Sequence, residues 1–235
     1  MEIILRQMDL WYRTSLGAAL LEAEREALVP CWEGCFGKFL LQIGGPGESS
    51  LFRENPAFHF VRLSPERMPV FRGPSVRGQL DQLPFLPESL DIILLPHVLE
   101  FMPEPQNILA QSYAALVPGG SLVILGFNPW SLWGLYKTFV YPKTSPWKGQ
   151  FYSLFKIKKL LTQQAFAIEQ IRTLFFRPPF KDKKVLKRWM MLEVLGRLLC
   201  ENNGGVYVIV VKKQVIPLIF LEEPTGYEQL KLGVC

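Results

Sequence analysis

The sequence lacks four things, and each absence removes a class of function. It has no apolar run approaching the roughly 18–20 residues that a bilayer-spanning helix needs, so no membrane span is expected. The opening stretch MEIILRQMDLWYR carries charge too early and too often for a secretory leader, which points to a cytoplasmic protein. Its four cysteines (Cys31, Cys35, Cys200, Cys235) form no pair of C-x-x-C pairs, and the C-x-x-x-C spacing of the first two has no histidine beside it. They read as buried thiols, and no metal site is expected. A G-x-G-x-x-G fingerprint is missing as well, which argues against a nicotinamide enzyme.

Apolar residues are plentiful. At 235 residues and 49% hydrophobic content the chain can bury a full core, as one large α/β domain or two small ones. Its organising stretch is 83–129. Leu90 to Leu95 is an apolar run bounded by Glu88-Ser89 and Pro96, the pattern of a strand buried on both faces. Pro103 and Pro105 open a segment with Ile108, Leu109, Tyr113 and Leu116 at helical spacing. Pro118-Gly119-Gly120 stops that helix, and Ser121 to Phe127 is a second apolar run. Two buried strands joined by a helix make a right-handed parallel crossover, half of a doubly wound sheet.

The rest of the chain repeats this alternation. Residues 9–29 predict one amphipathic helix, capped at Ser15, that lies across the sheet edge or covers the ligand cleft. Phe39 to Ile43 is a short strand ending in the glycine-rich turn Gly44-Gly45-Pro46-Gly47, with a helix following through Phe52. Such turns let backbone N–H groups approach a ligand. Strands follow at 58–63 and 76–78. A short helix is expected from Ser131, helices at 154–164 and 183–200, and strands at 166–176 and 206–211. The order is that of one α/β domain over 1–235, with an N-terminal helical extension at about 9–29 and an aromatic, basic lid at about 130–153. Charge is split. Residues 1–118 hold 9 Lys+Arg against 14 Asp+Glu, and 119–235 the remaining 17 against 7, so the halves carry −5 and +10. A basic half suits an anionic partner or substrate, or is a solvated face.

Leu83-Pro84-Phe85, Ser89-Leu90-Asp91, Pro96-His97-Val98-Leu99-Glu100 and Leu116-Val117-Pro118-Gly119-Gly120 follow one another in an order and spacing that resembles the class I S-adenosylmethionine-dependent methyltransferases, type 11 branch. A weaker likeness runs from about Trp11 to Lys213. The resemblance implies a Rossmann-like seven-stranded sheet, mostly parallel with its last strand antiparallel and helices on both faces. It implies S-adenosyl-L-methionine at the carboxyl ends of the strands, where open α/β sheets bind ligands. The cofactor-binding set carried over is Gln42, Gly44, Gly45 and Gly47 at the methionine part, Arg62, Leu63 and Ser64 at the ribose, Gln79, Leu80 and Asp81 at the adenine, and Pro96 with His97 beside the sulfonium. Four positions depart from the pattern: Gln42 stands for an acidic residue, Pro46 and Glu48 for glycines, and Arg62 for the ribose-binding carboxylate. An arginine has no acceptor for ribose hydroxyls, which leaves Glu66, one turn on, as the substitute.

The implied reaction is methyl transfer to a small or anionic acceptor. Positioning contributes much of the rate of such an in-line displacement, so the protein needs at most one base. His97, at a strand's carboxyl end, is the candidate, against a cleft-wall histidine that only bonds backbone. His59, inside a strand pattern, is structural. Asn128, Trp130 and Tyr136 are the candidate substrate residues, with turn formation the plain alternative for Asn128 and packing for the aromatics, Trp133 above all. Glu100 and Glu104 read as helix-start charges. The basic residues Lys181, Lys183, Lys184, Lys187 and Arg188 beside Phe175, Phe176, Phe180 and Trp189 keep nucleic acid open as a partner, but not favoured, because no nucleic-acid module accompanies them. The Asn/Asp-Pro-Pro-aromatic signature of amino-methylating nucleic-acid enzymes is absent too, since Asn128-Pro129 continues with Trp130. A non-catalytic binding protein on the same fold is the remaining alternative.

Overall fold

The computed structural model describes residues 2–32, 35, 37–45, 51, 59–64, 74–80, 82–140, 146–179 and 203–214. Seven strands form one sheet: β1 (Phe39–Ile43), β2 (His59–Ser64), β3 (Ser75–Arg77), β4 (Leu90–Pro96), β5 (Leu116–Phe127), β6 (Phe166–Leu174) and β7 (Val206–Lys213), in the order β3-β2-β1-β4-β5-β7-β6. β1 to β5 pair in parallel, and β7 inserts antiparallel between β5 and β6. The sheet expected from the resemblance is the one observed. Its strand order reverses between β1 and β4, which is where open α/β sheets place a ligand.

Side-chain alternation divides the interior into two cores. Leu41, Ile43, Ile93, Leu95, Leu122, Ile124, Tyr207 and Ile209 face one way, toward α3 (Pro105–Ala115) and α5 (Leu154–Gln163). Leu40, Ile92, Leu94, Val123, Leu125, Val206 and Val208 face the other way and pack on α1 (Glu2–Tyr12) and α2 (Ser15–Trp32). Each fully buried Leu or Ile contributes about 1.5–3 kcal/mol relative to exposure, so both helical layers are held chiefly by apolar area.

The N-terminal segment is two helices where one was expected. The chain breaks at Arg13-Thr14, and Thr14 is the cap: its hydroxyl accepts from the Gly17 amide at 3.1 Å, while Ser15 already lies inside α2. Gly17 permits the tight return, since a Cβ there would stand 2.2 Å from the Trp11 carbonyl oxygen. A second correction concerns Pro118-Gly119-Gly120. The helix already ends at Ala115, and these residues bulge inside β5, where the partner sequence steps from Leu90↔Leu116 to Ile92↔Ser121. Asp91 of the Ser-Leu-Asp landmark fastens the start of β1, its carboxylate accepting from the Lys38 and Phe39 amides at 2.9 Å each. α4 (Leu132–Val140) is the short helix expected from Ser131, whose hydroxyl caps the Trp133 and Gly134 amides. The helix expected at 183–200 and the basic residues 181–188 lie outside the described residues, as does the helix following Gly47. Among the described residues no helix is long and apolar enough to cross a membrane.

Candidate functional site

β4 delivers His97 to the carboxyl edge of the sheet. The His97 amide continues the ladder, donating to the Leu125 carbonyl at 3.0 Å, and the backbone then turns through φ 52°. A positive φ is costly for a residue with a Cβ, and it persists where surrounding contacts over-determine it. Here they do. The imidazole stacks on Phe127 at 4.0 Å between ring centres; Nε2 meets Glu24 Oε1 at 2.7 Å and Nδ1 meets Glu100 Oε1 at 3.1 Å. All three side chains are buried. Glu24 Oε2 also accepts the Tyr12 hydroxyl at 3.1 Å, and Glu100 Oε1 accepts the Phe127 amide at 2.8 Å.

Two carboxylates facing both ring nitrogens favour the imidazolium, which offers an N–H donor to each. Burial alone would push its pKa down, but Glu24 and Glu100 outweigh that and hold it at about 9. The same carboxylates, with burial as the larger cause, push the Tyr12 hydroxyl well above its ordinary value. The general base expected at His97 stands in this arrangement as a ring held at both nitrogens. A base needs a free lone pair, and both nitrogens are committed here to carboxylates.

Toward β1 and β2 the edge is built differently. Gly44 and Gly45 take φ 74° and 78°, and the Gln42 amide donates to the Gly44 carbonyl at 2.8 Å. A Cβ on Gly45 would come within 2.6 Å of Pro96 Cγ, so the turn lies directly against the end of β4. Gln42 Oε1 is buried without a hydrogen bond among the described residues. Arg62 is buried at the end of β2, and its guanidinium donates to the Gly45 carbonyl. Burial lowers the Arg62 pKa to about 10, and Asp9 on α1 works against that shift. Leu63 and Leu80 are core residues, Gln79 is exposed, and Ser64 closes the β2–β3 register opposite Arg77. Gly47, Glu48, Glu66 and Asp81 lie outside the described residues.

The substrate candidates separate. Asn128 is buried and forms a turn: Nδ2 donates to the Gly204 carbonyl at 3.2 Å and Oδ1 accepts the Trp130 amide at 3.0 Å. Trp130 stands 76% exposed. Tyr136 is half-buried against Trp147, with ring centres 5.0 Å apart. Trp133 is packing, as read from the sequence, with no exposure and its ring stacked on Phe127. His59 sits exposed at the start of β2, stacked on Phe39. Cys31 and Cys35 are buried free thiols, and burial raises both; Cys31 reaches about 11. Glu104 is a helix-start charge, accepting from Asn107 at 2.9 Å.

Sequence reasoning missed Glu24 and underrated Glu100. Glu24 had a signal: it lies four residues after Leu20 and four before Leu28, a lone charge on the apolar stripe of α2. Glu100 sits one helical turn from His97 in a segment read as a helix start. Nothing in the sequence says that residue 24 meets residue 97.

S-adenosylmethionine has an ammonium on its methionine part and a diol on its ribose. The methionine part fits: the unpartnered Gln42 Oε1 is an acceptor for an ammonium, next to two glycines of positive φ. At the ribose position Arg62 supplies donors only, and Asp9 is a carboxylate that acts on it.

Comparison with known proteins gives the same outline. Residues 54–124 match the methyltransferase domain family. The uncharacterized protein YafS of Escherichia coli (strain K12) is 32% identical over 214 residues, covering 89% of this chain and 82% of its own. An S-adenosylmethionine-dependent methyltransferase of Thermotoga maritima superimposes with a TM-score of 0.59 at 19% identity, covering 83% of this chain and 89% of that one. One from Mesorhizobium loti gives 0.56 at 14%, over 82% and 99%. The [4+2]-cyclase SpnF gives 0.57 at 14%, over 82% and 81%.

Proposed function

The chain belongs to the class I S-adenosylmethionine-dependent methyltransferases, type 11 branch, and on that premise we propose that it transfers a methyl group to a small or anionic acceptor in the cytoplasm. The observation that carries the reading is the meeting of the Gly44-Gly45 turn with Pro96 at the point where the strand order reverses, the unpartnered Gln42 acceptor beside it. Gln42, Gly44, Gly45, Gly47 and Pro96 would hold the methionine part. Leu63, Ser64, Gln79, Leu80 and Asp81 would border the nucleoside. When bound, the cofactor supplies an electrophilic methyl on a sulfonium.

The protein's own contribution is placement. His97 is a fixed cation that orients Glu100, with Glu24 holding the ring from the far side. Phe127 and Phe151, stacked at 5.0 Å, exclude water from that edge. Asn128 and Tyr136 shape the chain that leads into the lid, and Trp130 would reach an acceptor only from the solvent side.

Titration calorimetry with S-adenosylhomocysteine tests the reading. Binding is expected, and Gly44→Asp abolishes it by placing a side chain and a negative charge in a turn of positive φ. No heat and no thermal shift at saturating ligand sinks the enzyme. Arg62 favours a second reading, a binding protein on a methyltransferase fold, because it removes the ribose acceptor. Methyl transfer to any acceptor in a metabolite extract, lost in the Gly44→Asp variant, rules that reading out.

A further inference from the structure

The two carboxylates that hold His97 are not equivalent. Glu24 is satisfied at both oxygens, by His97 and by Tyr12. Glu100 spends Oε1 on two donors, His97 Nδ1 and the Phe127 amide, and leaves Oε2 buried with no hydrogen bond among the described residues. Glu100 is only 3% exposed. A buried carboxylate oxygen without a donor is destabilising, and such atoms persist where something other than the folded chain completes them.

Two of the donors near Glu100 are engaged elsewhere. Its charge reaches Lys137 of α4, Tyr152 ahead of α5, and Tyr207 of β7. Yet Lys137 donates to the Gly149 carbonyl, and the Tyr152 hydroxyl donates to Gln150 Oε1 at 3.2 Å. The segment 146–152 is built onto the same residue. The Gln150 amide donates to the Glu100 carbonyl at 2.7 Å, and a Cβ on Gly149 would stand 2.9 Å from Glu100 Cβ. From below, Tyr207 fills the space Gly126 leaves, where a Cβ would meet the phenol oxygen at 2.4 Å. Glu100 is thus enclosed by aromatic and glycine walls, with one oxygen still vacant.

We infer that Glu100 Oε2 is the recognition atom for the acceptor's reacting end, and that it selects an N–H or O–H donor, an amine or an alcohol, over a carboxylate or phosphate. This rests on the methyltransferase reading, and it narrows the acceptor at that site. The reason is elementary. An ionised carboxylate only accepts, so an anionic oxygen brought to Oε2 meets repulsion with no hydrogen bond, whereas an amine or hydroxyl completes the empty position. His97 and Glu24 are positioning residues: the imidazolium fixes Oε1, and that fixes where Oε2 points. An anionic group elsewhere on the acceptor is compatible with this, provided that the reacting end donates.

The test uses the full chain with 15N-labelled histidine, which gives only two imidazoles, His59 and His97; the His59→Gln variant assigns them. Ethylammonium, ethanol and acetate are titrated in turn, small enough to enter any cleft and expected to bind no tighter than about millimolar. Ethylammonium or ethanol is expected to shift His97 Nδ1, the nitrogen on the Glu100 side, more than Nε2, and acetate to shift neither. Glu100→Gln is expected to weaken the effective probe at least about tenfold, the loss of one charge-assisted hydrogen bond. S-adenosylhomocysteine binding is expected to stay within about twofold in the same variant. Glu24→Gln is expected to keep probe binding while changing the His97 pH titration. An acetate shift equal to that of the donors, no shift with either donor, or full probe binding in Glu100→Gln overturns the inference. The last outcome means that Oε2 is merely hydrated. The probe titration is read without cofactor, so a failure here and a failure to bind S-adenosylhomocysteine are separate results.

Discussion

At the carboxyl ends of β4 and β5 charge is buried against charge; at the ends of β1 and β2 a guanidinium and an amide turn onto backbone carbonyls. The first half holds His97 between Glu24 and Glu100, tied to both N-terminal helices through Tyr12 and Glu24. The second holds Arg62 on the Gly45 carbonyl and Gln42 on the Gly44 carbonyl. A buried ion cluster is expensive to desolvate and expensive to break, so it resists piecemeal change. A guanidinium on a carbonyl can be exchanged with less disturbance. The difference explains how one edge of a sheet keeps its family's landmarks at 83–120 while the other departs from them at 42 and 62.

The comparison breaks most readily at His97. His97→Leu leaves two buried carboxylates 24 and 100 without the cation between them, and loss of about 3–5 kcal/mol is expected in urea unfolding at neutral pH. Arg62→Leu removes the guanidinium on the Gly45 carbonyl, a cation that Asp9 favours, but leaves no pair of facing buried carboxylates, and it is expected to cost less. Equal losses would mean that the two halves are held by the same kind of force.

A pH profile sharpens the same contrast. The folded-state pKa of His97, about 9, lies above the unfolded value of about 6.5, so the folded protein binds more protons between the two. Its contribution is complete below about pH 6.5 and is lost as pH rises through about 9, on the order of 3 kcal/mol. Cys31 and Cys35, also raised, add to a fall on the alkaline side, so the quantity to measure is the difference between wild type and His97→Gln. That difference is expected to shrink from pH 6.5 to 9.5. A difference independent of pH removes the imidazolium.

How much of this was legible follows from range. β1 came from the sequence with its observed ends, and β4 ran one residue further, because short apolar runs bounded by Gly, Pro and Ser leave little freedom. The break at Arg13-Thr14 was missed because both helices share apolar periodicity, and only the Gly17 contact with Trp11 shows that the chain must turn. In the site, His97 was visible as a position, but the two carboxylates on its ring were not. Its ionisation is set by Glu24, 73 residues away, and no local pattern carries that contact. Arg62 was legible as a departure from the family, but not the carbonyl it would choose.

Arg62→Asp tests the other half by restoring the carboxylate that the family places there. If the ribose lies over the end of β2, affinity for S-adenosylhomocysteine is expected to rise about tenfold, the value of one added charge-assisted hydrogen bond partly offset by repulsion from Asp9. Arg62→Asp combined with Asp9→Asn is then expected to bind tighter than Arg62→Asp alone. Unchanged affinity in both places the ribose elsewhere.

The smallest effect concerns Trp130 and Trp147. Trp130 is 76% exposed, while Trp147, three residues before Gln150, is buried among Trp133, Tyr136 and Phe151. Trp130→Ala is expected to change stability by less than about 0.5 kcal/mol, as for surface positions generally, and Trp147→Ala by about 3 kcal/mol or more. Once an acceptor is in hand, the same pair separates packing from closure. A lid that folds Trp130 over the acceptor would raise KM in Trp130→Ala while leaving its unfolding curve in place. Unchanged KM assigns the aromatic wall of the site to Phe127 and Phe151, which already stack over the edge where Glu100 waits for a donor.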